Sequence, residues 1–264
     1  MKFCRILLDG QPAWGRVEEG QVVILAGDPF AGWRDTLSAV PLADATWLPP
    51  VVPNTFFCAG LNYRTHIDEA AKKGYPAAKI PEHPDVGYRA NNALTGHNCP
   101  IIRPHDFDGR FEYEGELVAV IGKPLRHATR QQAIDGIFGW TIGNDVSARE
   151  WQRSDRTFWR GKNADSFKPM GPWIDTEATP LDGKTRVSLN GVLDSEYNTG
   201  AMIFDPYEFI VAITRYITMS PGDVLWLGTD ATHEMQVGDL VEIEITGLGT
   251  LANPVVAENL NERT

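Results

Sequence analysis

The chain has 264 residues, of which 42% are hydrophobic and 22% are charged, and its formal net charge at pH 7 is −11. This length supports one large domain, or one domain with a small appendage, and a substantial buried core. The acidic balance argues against a nucleic-acid partner, because proteins that bind the phosphate backbone usually present a basic surface.

The three cysteines and the N-terminal sequence bear on the cellular compartment in which the protein is expected. Cys4, Cys58 and Cys99 lie far apart and form no C-x-x-C pattern, which predicts neither a disulfide framework nor a zinc site. The first ten residues, MKFCRILLDG, lack an apolar core long enough for a secretory signal. No apolar run approaches the roughly 20 residues of a membrane span. A soluble, cytoplasmic protein with no membrane partner is therefore expected.

The first part of the chain predicts short strands and one helix. Residues 1–27 read as strands separated by turns. The Pro-rich stretch WLPPVVPNT, residues 47–55, predicts a boundary after a small N-terminal β unit. Residues 66–74 predict a helix, because they are acidic early and basic late and Gly74 is placed as a stop. Residues 75–110 are crowded with turn-forming residues.

The second part of the chain alternates strands with a few helices. Residues 128–135 predict a short helix and residues 137–143 an apolar strand. The sequence SARE, residues 147–150, has the spacing of a capping box and predicts a helix that starts just after Asp145. From residue 185 onward, short β-like runs are interrupted by one helical segment, DPYEFIVAITRYITM. The pattern predicts a mixed, β-rich α/β fold.

Residues 111–122, FEYEGELVAVIG, predict an apolar strand that begins with Glu112, Glu114 and Glu116. Side chains alternate across a strand, so these three share a face, and neighbours two residues apart lie about 7 Å apart. Converging carboxylates repel each other unless a proton or a cation lies between them. An all-oxygen ligand set favours Mg²⁺, Mn²⁺ or Ca²⁺ over zinc. The alternative, and the commoner reading of E-x-E alone, is a solvated strand end.

Three other segments contain candidate functional residues, and each candidate also has a purely structural interpretation. Asp145 follows an apolar strand, where ligands often gather, but Asp also caps helices. His66 and Glu69 have the i, i+3 spacing of a histidine and its orienting carboxylate, or of a weak surface pair. Lys162, in a loop punctuated by Gly and Pro, either stabilises an oxyanion or is simply solvated.

Six motifs resemble the fumarylacetoacetate hydrolase family in their order and approximate spacing. They are GLNYRTHIDE, YEGELVAVIGK, GWTIGNDVSAREWQ, GKNADSFKPMGPW, PGDVLWLGT and GDLVEIEITGLGTLANPV. The resemblance implies a β-roll catalytic domain over residues 54–264. Residues 1–50 resemble the small N-terminal β domain that many members carry.

The resemblance implies a metal centre at the glutamate-bearing strand. Glu114, Glu116 and Asp145 would bind one Mg²⁺ or Mn²⁺, with Glu112 a neighbour rather than a ligand. The family's catalytic pair, placed on a mobile lid, corresponds to residues 66 and 69 of this chain.

The resemblance also implies residues that contact the substrate. Lys162 matches the family's oxyanion-stabilising lysine, and four residues are expected in the substrate pocket: Tyr63, Arg89, Gln152 and Thr229. Relatives often have a Lys-Pro where this chain has YRANN, so Arg89 is expected to bind a substrate carboxylate. The family's T-G-T-P turn is replaced by LGTD, residues 227–230, which changes one pocket wall.

The function implied is a divalent-metal-dependent hydrolase that cleaves a C–C bond in an acylpyruvate or diketo acid through an enolate. Two alternatives use the same site: oxaloacetate decarboxylation, and isomerisation of a substrate of the 2-hydroxyhepta-2,4-diene-1,7-dioate type. A non-catalytic metal-binding β domain is a remote alternative. The expected partner is a small 2-oxo or diketo acid, and a homodimer is expected because family members commonly form one.

Overall fold

The structure is a computed structural model that describes residues 1–72 and 80–261, without the side chains of residues 69–72. The α-helices within these residues are α1 (Arg64–Lys72), α2 (Arg130–Gly136), α3 (Arg149–Ser154), α4 (Trp159–Asn163) and α5 (Pro206–Thr214). None of these helices combines the length and the apolarity that crossing a membrane requires.

Nineteen strands lie in the same described residues. The first nine are β1 (Lys2–Leu8), β2 (Gln11–Glu18), β3 (Gln21–Asp28), β4 (Gly32–Pro41), β5 (Trp47–Leu48), β6 (Phe56–Ala59), β7 (Val86–Tyr88), β8 (Leu94–Thr95) and β9 (Ile101–Arg103). The remaining ten are β10 (Phe111–Glu112), β11 (Gly115–Ile121), β12 (Ile137–Asn144), β13 (Ser147–Ala148), β14 (Lys168–Asp175), β15 (Lys184–Leu189), β16 (Val192–Asn198), β17 (Val224–Trp226), β18 (Leu240–Ile245) and β19 (Gly249–Ala257).

Two sheets form the framework. The larger has the order β4-β3-β2-β1-β14-β12-β11-β17-β6-β7, with β5 beside β1 and β8 beside β14, and the smaller has the order β16-β15-β18-β19-β9. The N-terminal strands join the larger sheet where Phe3 pairs with Ile174. Most pairs are antiparallel, whereas β17 with β6, β14 with β8 and β19 with β9 are parallel. The predicted mixed, β-rich fold is confirmed.

Strand β11 is buried on both faces, which explains its unbroken apolar sequence. Leu117 and Ile121 pack into the main core, which also contains Ile243 from the smaller sheet. Val118 and Val120 point the other way, into a second cluster around Met170 and Trp226. A strand enclosed in this way has little freedom to move, so the residues at its start occupy fixed positions.

The predicted strand 111–122 is interrupted. Phe111 and Glu112 form β10, which pairs with β13, and β11 begins only at Gly115. Between them, the backbone N–H of Tyr113 donates to the His233 carbonyl, and that of Glu114 donates to Asn144 Oδ1. These bonds take the two residues out of the strand ladder, so the expectation of one continuous strand was wrong.

The predicted helices are found, but one predicted cap is wrong. Thr129 and Asp205 cap α2 and α5 through complete capping boxes. Helix α3 has no side-chain cap. The Ser147 hydroxyl instead donates to the Asp145 carbonyl at 2.9 Å, and the Glu150 carboxylate accepts from the Arg110 backbone N–H at 2.7 Å. Helix α1 spans residues 64–72, and the predicted stop at residue 74 lies outside the described residues.

Acid is expected to destabilise the fold through His97. This ring accepts a hydrogen bond from the Ala252 backbone N–H and packs edge-on against Trp47, and its burial lowers its pKa from 6.5 to about 4. Between these two pKa values, His97 is protonated in the unfolded chain but neutral in the folded protein. The free energy of unfolding therefore falls as the pH drops from 6.5 toward 4. This site contributes a slope of at most about 1.4 kcal/mol per pH unit.

Denaturant unfolding of the wild type and of His97→Gln across this pH range measures the effect. Glutamine retains an acceptor for Ala252 but does not titrate, so the variant should have the shallower slope. Parallel pH profiles for the two proteins would contradict the assignment.

Candidate metal centre

Three buried carboxylates converge where β11 begins and β12 ends. Glu114, Glu116 and Asp145 are 6%, 2% and 2% exposed, and one oxygen from each lies within 4.8 Å of the others. The strands are antiparallel neighbours, with Gly115 opposite Asn144. The residues expected to bind metal are therefore brought together by the pairing of two buried strands.

Two close contacts fix this junction. The Asp145 backbone N–H donates to the Glu114 carbonyl at 2.9 Å, which ties the end of β12 to the residue before β11. Gly143 lies against the Trp226 ring, and a Cβ at this position would come within 2.6 Å of the ring. Only glycine leaves room for the indole, which packs against β12 two residues before Asp145.

Asp145 is held by three cations. Arg89 donates through Nε to Oδ1 at 3.1 Å and through Nη2 to Oδ2 at 2.7 Å. Lys162 Nζ lies 3.0 Å from Oδ2 and Lys168 Nζ lies 2.6 Å from Oδ1. Burial acts to raise the pKa of Asp145, but these cations outweigh it and hold the pKa well below its usual value. Asp145 is therefore ionised and fixed in orientation.

Glu114 is held by two cations and a hydroxyl. Lys162 Nζ lies 2.8 Å from Oε2, Arg149 Nη2 lies 2.7 Å from Oε1, and the Ser147 hydroxyl donates to Oε1 at 3.2 Å. Burial acts to raise the pKa of Glu114, but the two cations lower it to about 2. Arg149 Nε also contacts Glu112 at 2.6 Å, so Glu112 is the second partner of this arginine.

Glu116 is in a different environment. Its Oε2 accepts a hydrogen bond from the Gly228 backbone N–H at 2.9 Å, and Gly228 has φ +85°, a conformation that favours glycine. Burial and the negative charges of Asp145 and Glu114 raise the pKa of Glu116 well above its usual value. A proton or a bound cation would relieve this conflict.

The donor set fits a hard divalent cation. It consists of three carboxylates in a buried position, with no sulfur or imidazole among them, and one of them is destabilised by its neighbours. Oxygen ligands of this kind suit Mg²⁺ or Mn²⁺ better than zinc. Glu114, Glu116 and Asp145 are the residues that would hold the ion.

Tyr63 and Thr229 lie together beside the acidic cluster. The Tyr63 and Tyr197 rings meet edge to face at 5.3 Å, and the Tyr197 hydroxyl lies 3.3 Å from Thr229 Oγ1. Thr229 directly follows Gly228, which contacts Glu116. The Tyr63 hydroxyl donates to the Thr199 carbonyl at 2.6 Å, and burial raises the pKa of this phenol well above its usual value. Tyr63 is therefore a neutral phenol.

Arg89 and Gln152 both contact residues of the centre. Arg89 binds Asp145 with two of its nitrogens and the Tyr88 carbonyl with the third. Gln152 accepts a hydrogen bond from Arg149 Nη1 at 2.9 Å. Their expected substrate contacts remain predictions.

His66 approaches the centre from α1. It is half-buried, and it lies close enough to Glu114 for a protonated ring to lower the pKa of that carboxylate. The Glu69 side chain lies outside the described residues, and its pairing with His66 remains a prediction. The site thus combines a histidine from a helix with Lys162 from a separate segment.

Two cations of the centre, Arg149 and Lys168, were not predicted from the sequence. Arg149 was assigned to a helix start, because SARE resembles a capping box. Lys168 lies in the apolar stretch FKPMGPW and is 0% exposed. A lysine with apolar sequence neighbours is expected to be buried with an acceptor, and this pattern was the signal in the sequence for Lys168.

A family model described as fumarylacetoacetate (FAA) hydrolase C-terminal matches residues 55–256. The chain belongs to the fumarylacetoacetate hydrolase family. A second model, described as Rv2993c-like N-terminal, matches residues 1–50. Relatives in this family with named activities are enzymes, among them an oxaloacetate tautomerase and a bifunctional isomerase/decarboxylase.

The chain is similar to several proteins, and those with named activities differ in the reaction they perform. Protein Rv2993c of Mycobacterium tuberculosis is 39% identical over 236 residues, which cover 88% of this chain and 86% of the relative. Oxaloacetate tautomerase YisK of Bacillus subtilis is 33% identical, with 78% and 71% covered. The structure of a 5-carboxymethyl-2-hydroxymuconate delta-isomerase from Mycobacterium smegmatis has a TM-score of 0.87 at 34% identity, covering 98% of this chain and all of that one.

Binding of a divalent cation is expected to release a proton from Glu116 and to strengthen as the pH rises. Because the pKa of Glu116 is raised, protons compete with the cation for this carboxylate at acidic pH. Calorimetric titration of Mn²⁺ in buffers of different ionisation enthalpy, between about pH 5 and 8, counts the released protons.

The control variant for this titration is Glu234→Gln, which removes an exposed carboxylate and should behave as the wild type. Glu116→Gln should bind the ion weakly and release no proton from this site. A wild-type affinity that does not change with pH, and no proton release, would contradict the assignment.

Proposed function

We propose that this chain is a divalent-metal-dependent enzyme that acts on a small 2-oxo acid by forming its enolate. The finer proposal is that it hydrolyses a C–C bond in an acylpyruvate or related diketo acid. The observation that supports this most strongly is the arrangement of three buried carboxylates among four cations.

The bound ion would supply a Lewis acid for the oxygens of a 2-oxo acid, which favours negative charge on the former carbonyl oxygen. Lys162 lies at the same carboxylates, 2.8 Å from Glu114 and 3.0 Å from Asp145. Its ammonium is therefore placed to offset the charge that develops on an enolate. In a buried site such an interaction is stronger than in water.

His66 would act as the general base in hydrolysis. It takes a proton from water, whose oxygen then bonds to the distal carbonyl carbon of the substrate. The bond between this carbon and the adjacent CH₂ breaks, and its electron pair passes to the pyruvate fragment as an enolate. His66 then returns its proton to the CH₂ carbon of that enolate, which gives pyruvate, and the distal fragment leaves as a carboxylic acid. Hydrolysis uses both His66 and Lys162.

Isomerisation or tautomerisation is the second candidate. It is favoured by the kinship with the B. subtilis oxaloacetate tautomerase and the M. smegmatis isomerase. In this reaction His66 would remove a C–H proton next to the carbonyl, and the proton would return to another atom of the same enolate. Decarboxylation of oxaloacetate is a third outcome, in which the electron pair of the C–CO₂ bond forms the enolate and no water attacks.

A substrate panel distinguishes these reactions. Acylpyruvates, fumarylpyruvate and oxaloacetate are followed by ultraviolet absorbance with Mg²⁺, with Mn²⁺ and with excess chelator, while pyruvate and CO₂ are assayed in parallel. Metal-dependent release of pyruvate and an acid supports hydrolysis. A change in absorbance without either product supports isomerisation or tautomerisation.

Two variants test the assigned roles. His66→Ala should reduce turnover by about 10²- to 10⁴-fold, the usual contribution of a general base, and should still bind the metal. Glu114→Gln should lose metal binding together with turnover. His105→Ala, which removes an exposed histidine paired with Glu258, is the control and should leave both unchanged. Turnover that survives complete removal of divalent ions would refute the proposal.

A further inference from the structure

Lys168 is a fully buried ammonium behind the metal centre. It opens β14 and is 0% exposed. Its Nζ lies 2.6 Å from Asp145 Oδ1, 2.8 Å from the Phe167 carbonyl and 3.1 Å from the Val146 carbonyl. An ammonium has three N–H donors, and each of them finds one acceptor here. The surroundings therefore assign a positive charge to Lys168.

Lys168 is the third cation at Asp145. Arg89 already binds both oxygens of this carboxylate, and Lys162 contacts Oδ2. Well-placed cations keep a buried carboxylate ionised, and two of them are present without Lys168. The positive charge of Lys168 would therefore also act on whatever else binds at the centre.

Among the described residues of this centre, buried acids and bases are equal in number. The acids are Glu112, Glu114, Glu116 and Asp145, and the bases are Arg89, Arg149, Lys162 and Lys168. A divalent cation adds two positive charges to this set. An anion with two negative charges restores the balance, and a buried excess of charge is costly without it.

We propose that Lys168 is a positioning residue that acts through Asp145, weakening the hold of the centre on a divalent cation and strengthening its hold on a dianionic 2-oxo acid. A fixed ammonium a few ångströms away repels a second cation and attracts an anion, most strongly where water is excluded. The inference rests on the proposed function, because it requires that metal and substrate share these carboxylates.

Two titrations of the full chain test the proposal. Lys168→Met replaces the lysine with a side chain of similar length and no charge. Calorimetry first measures the Kd of Mn²⁺, and then the Kd of oxalate for the Mn²⁺-loaded protein at the same pH. Oxalate is the probe because its two adjacent carboxylates resemble the enolate of a 2-oxo acid. We expect Mn²⁺ to bind roughly tenfold tighter in the variant, because a repelling charge is removed, and oxalate roughly tenfold weaker, because an attracting charge is removed.

Three measurements separate charge from structural damage. Lys168→Gln keeps a hydrogen-bond donor without the charge and should show the same two opposite shifts, even where the methionine variant folds poorly. Lys184→Met removes an exposed lysine that pairs with Glu196 and should change neither affinity. Thermal unfolding of each variant reports whether the fold is intact.

The outcomes are distinct. Opposite shifts of the two affinities support the proposal. Weakening of both affinities indicates a purely structural role and overturns it, and so does the absence of any change. A wild-type protein that binds neither Mn²⁺ nor oxalate would instead refute the proposed function, whatever the variants do.

Discussion

The mutual repulsion of three buried carboxylates is the constraint on which the rest of this structure depends. Glu114, Glu116 and Asp145 have been removed from water and placed within reach of one another. Neither step is favourable for ionised groups unless opposite charges compensate them. The surrounding cations come from four separate segments of the chain, so the fold around the centre is built to bring these charges together.

The strands beneath the centre give it rigidity. Strand β11 is enclosed between two apolar clusters, and β12 pairs with it along nearly its whole length. Side chains at the ends of such strands cannot move without disturbing both clusters. Ligands placed there are therefore held at fixed separations, which suits a small ion with short, defined bond lengths.

The local sequence pattern predicted part of this centre, the carboxylates, but it did not predict all of the cations around them. Glu114 and Glu116 could be paired from their spacing, because alternation along a strand depends on sequence separation alone. Arg149 and Lys168 could not be assigned, since they contact Glu112 and Val146, which lie 37 and 22 residues away and are brought close only by tertiary packing. The capping-box prediction at SARE failed for a similar reason, because the Ser147 hydroxyl is committed to Asp145 and Glu114. The break at Tyr113 likewise reflects distant acceptors in the His233 loop and in Asn144.

The three carboxylates differ in the number of cations that contact them, and this difference gives each carboxylate a different electrostatic environment. Asp145 contacts three cations and Glu114 two, whereas Glu116 is held by a backbone N–H. Lys162 contacts two of the three carboxylates, so under the proposed function its replacement would change the electrostatic field both at a bound ion and at the substrate. His66 comes from α1 and not from the strand framework, so the proposed base and the carboxylates are held by different parts of the fold. Under the proposed function, a change in α1 would therefore alter proton transfer and leave the backbone positions of the carboxylates unchanged.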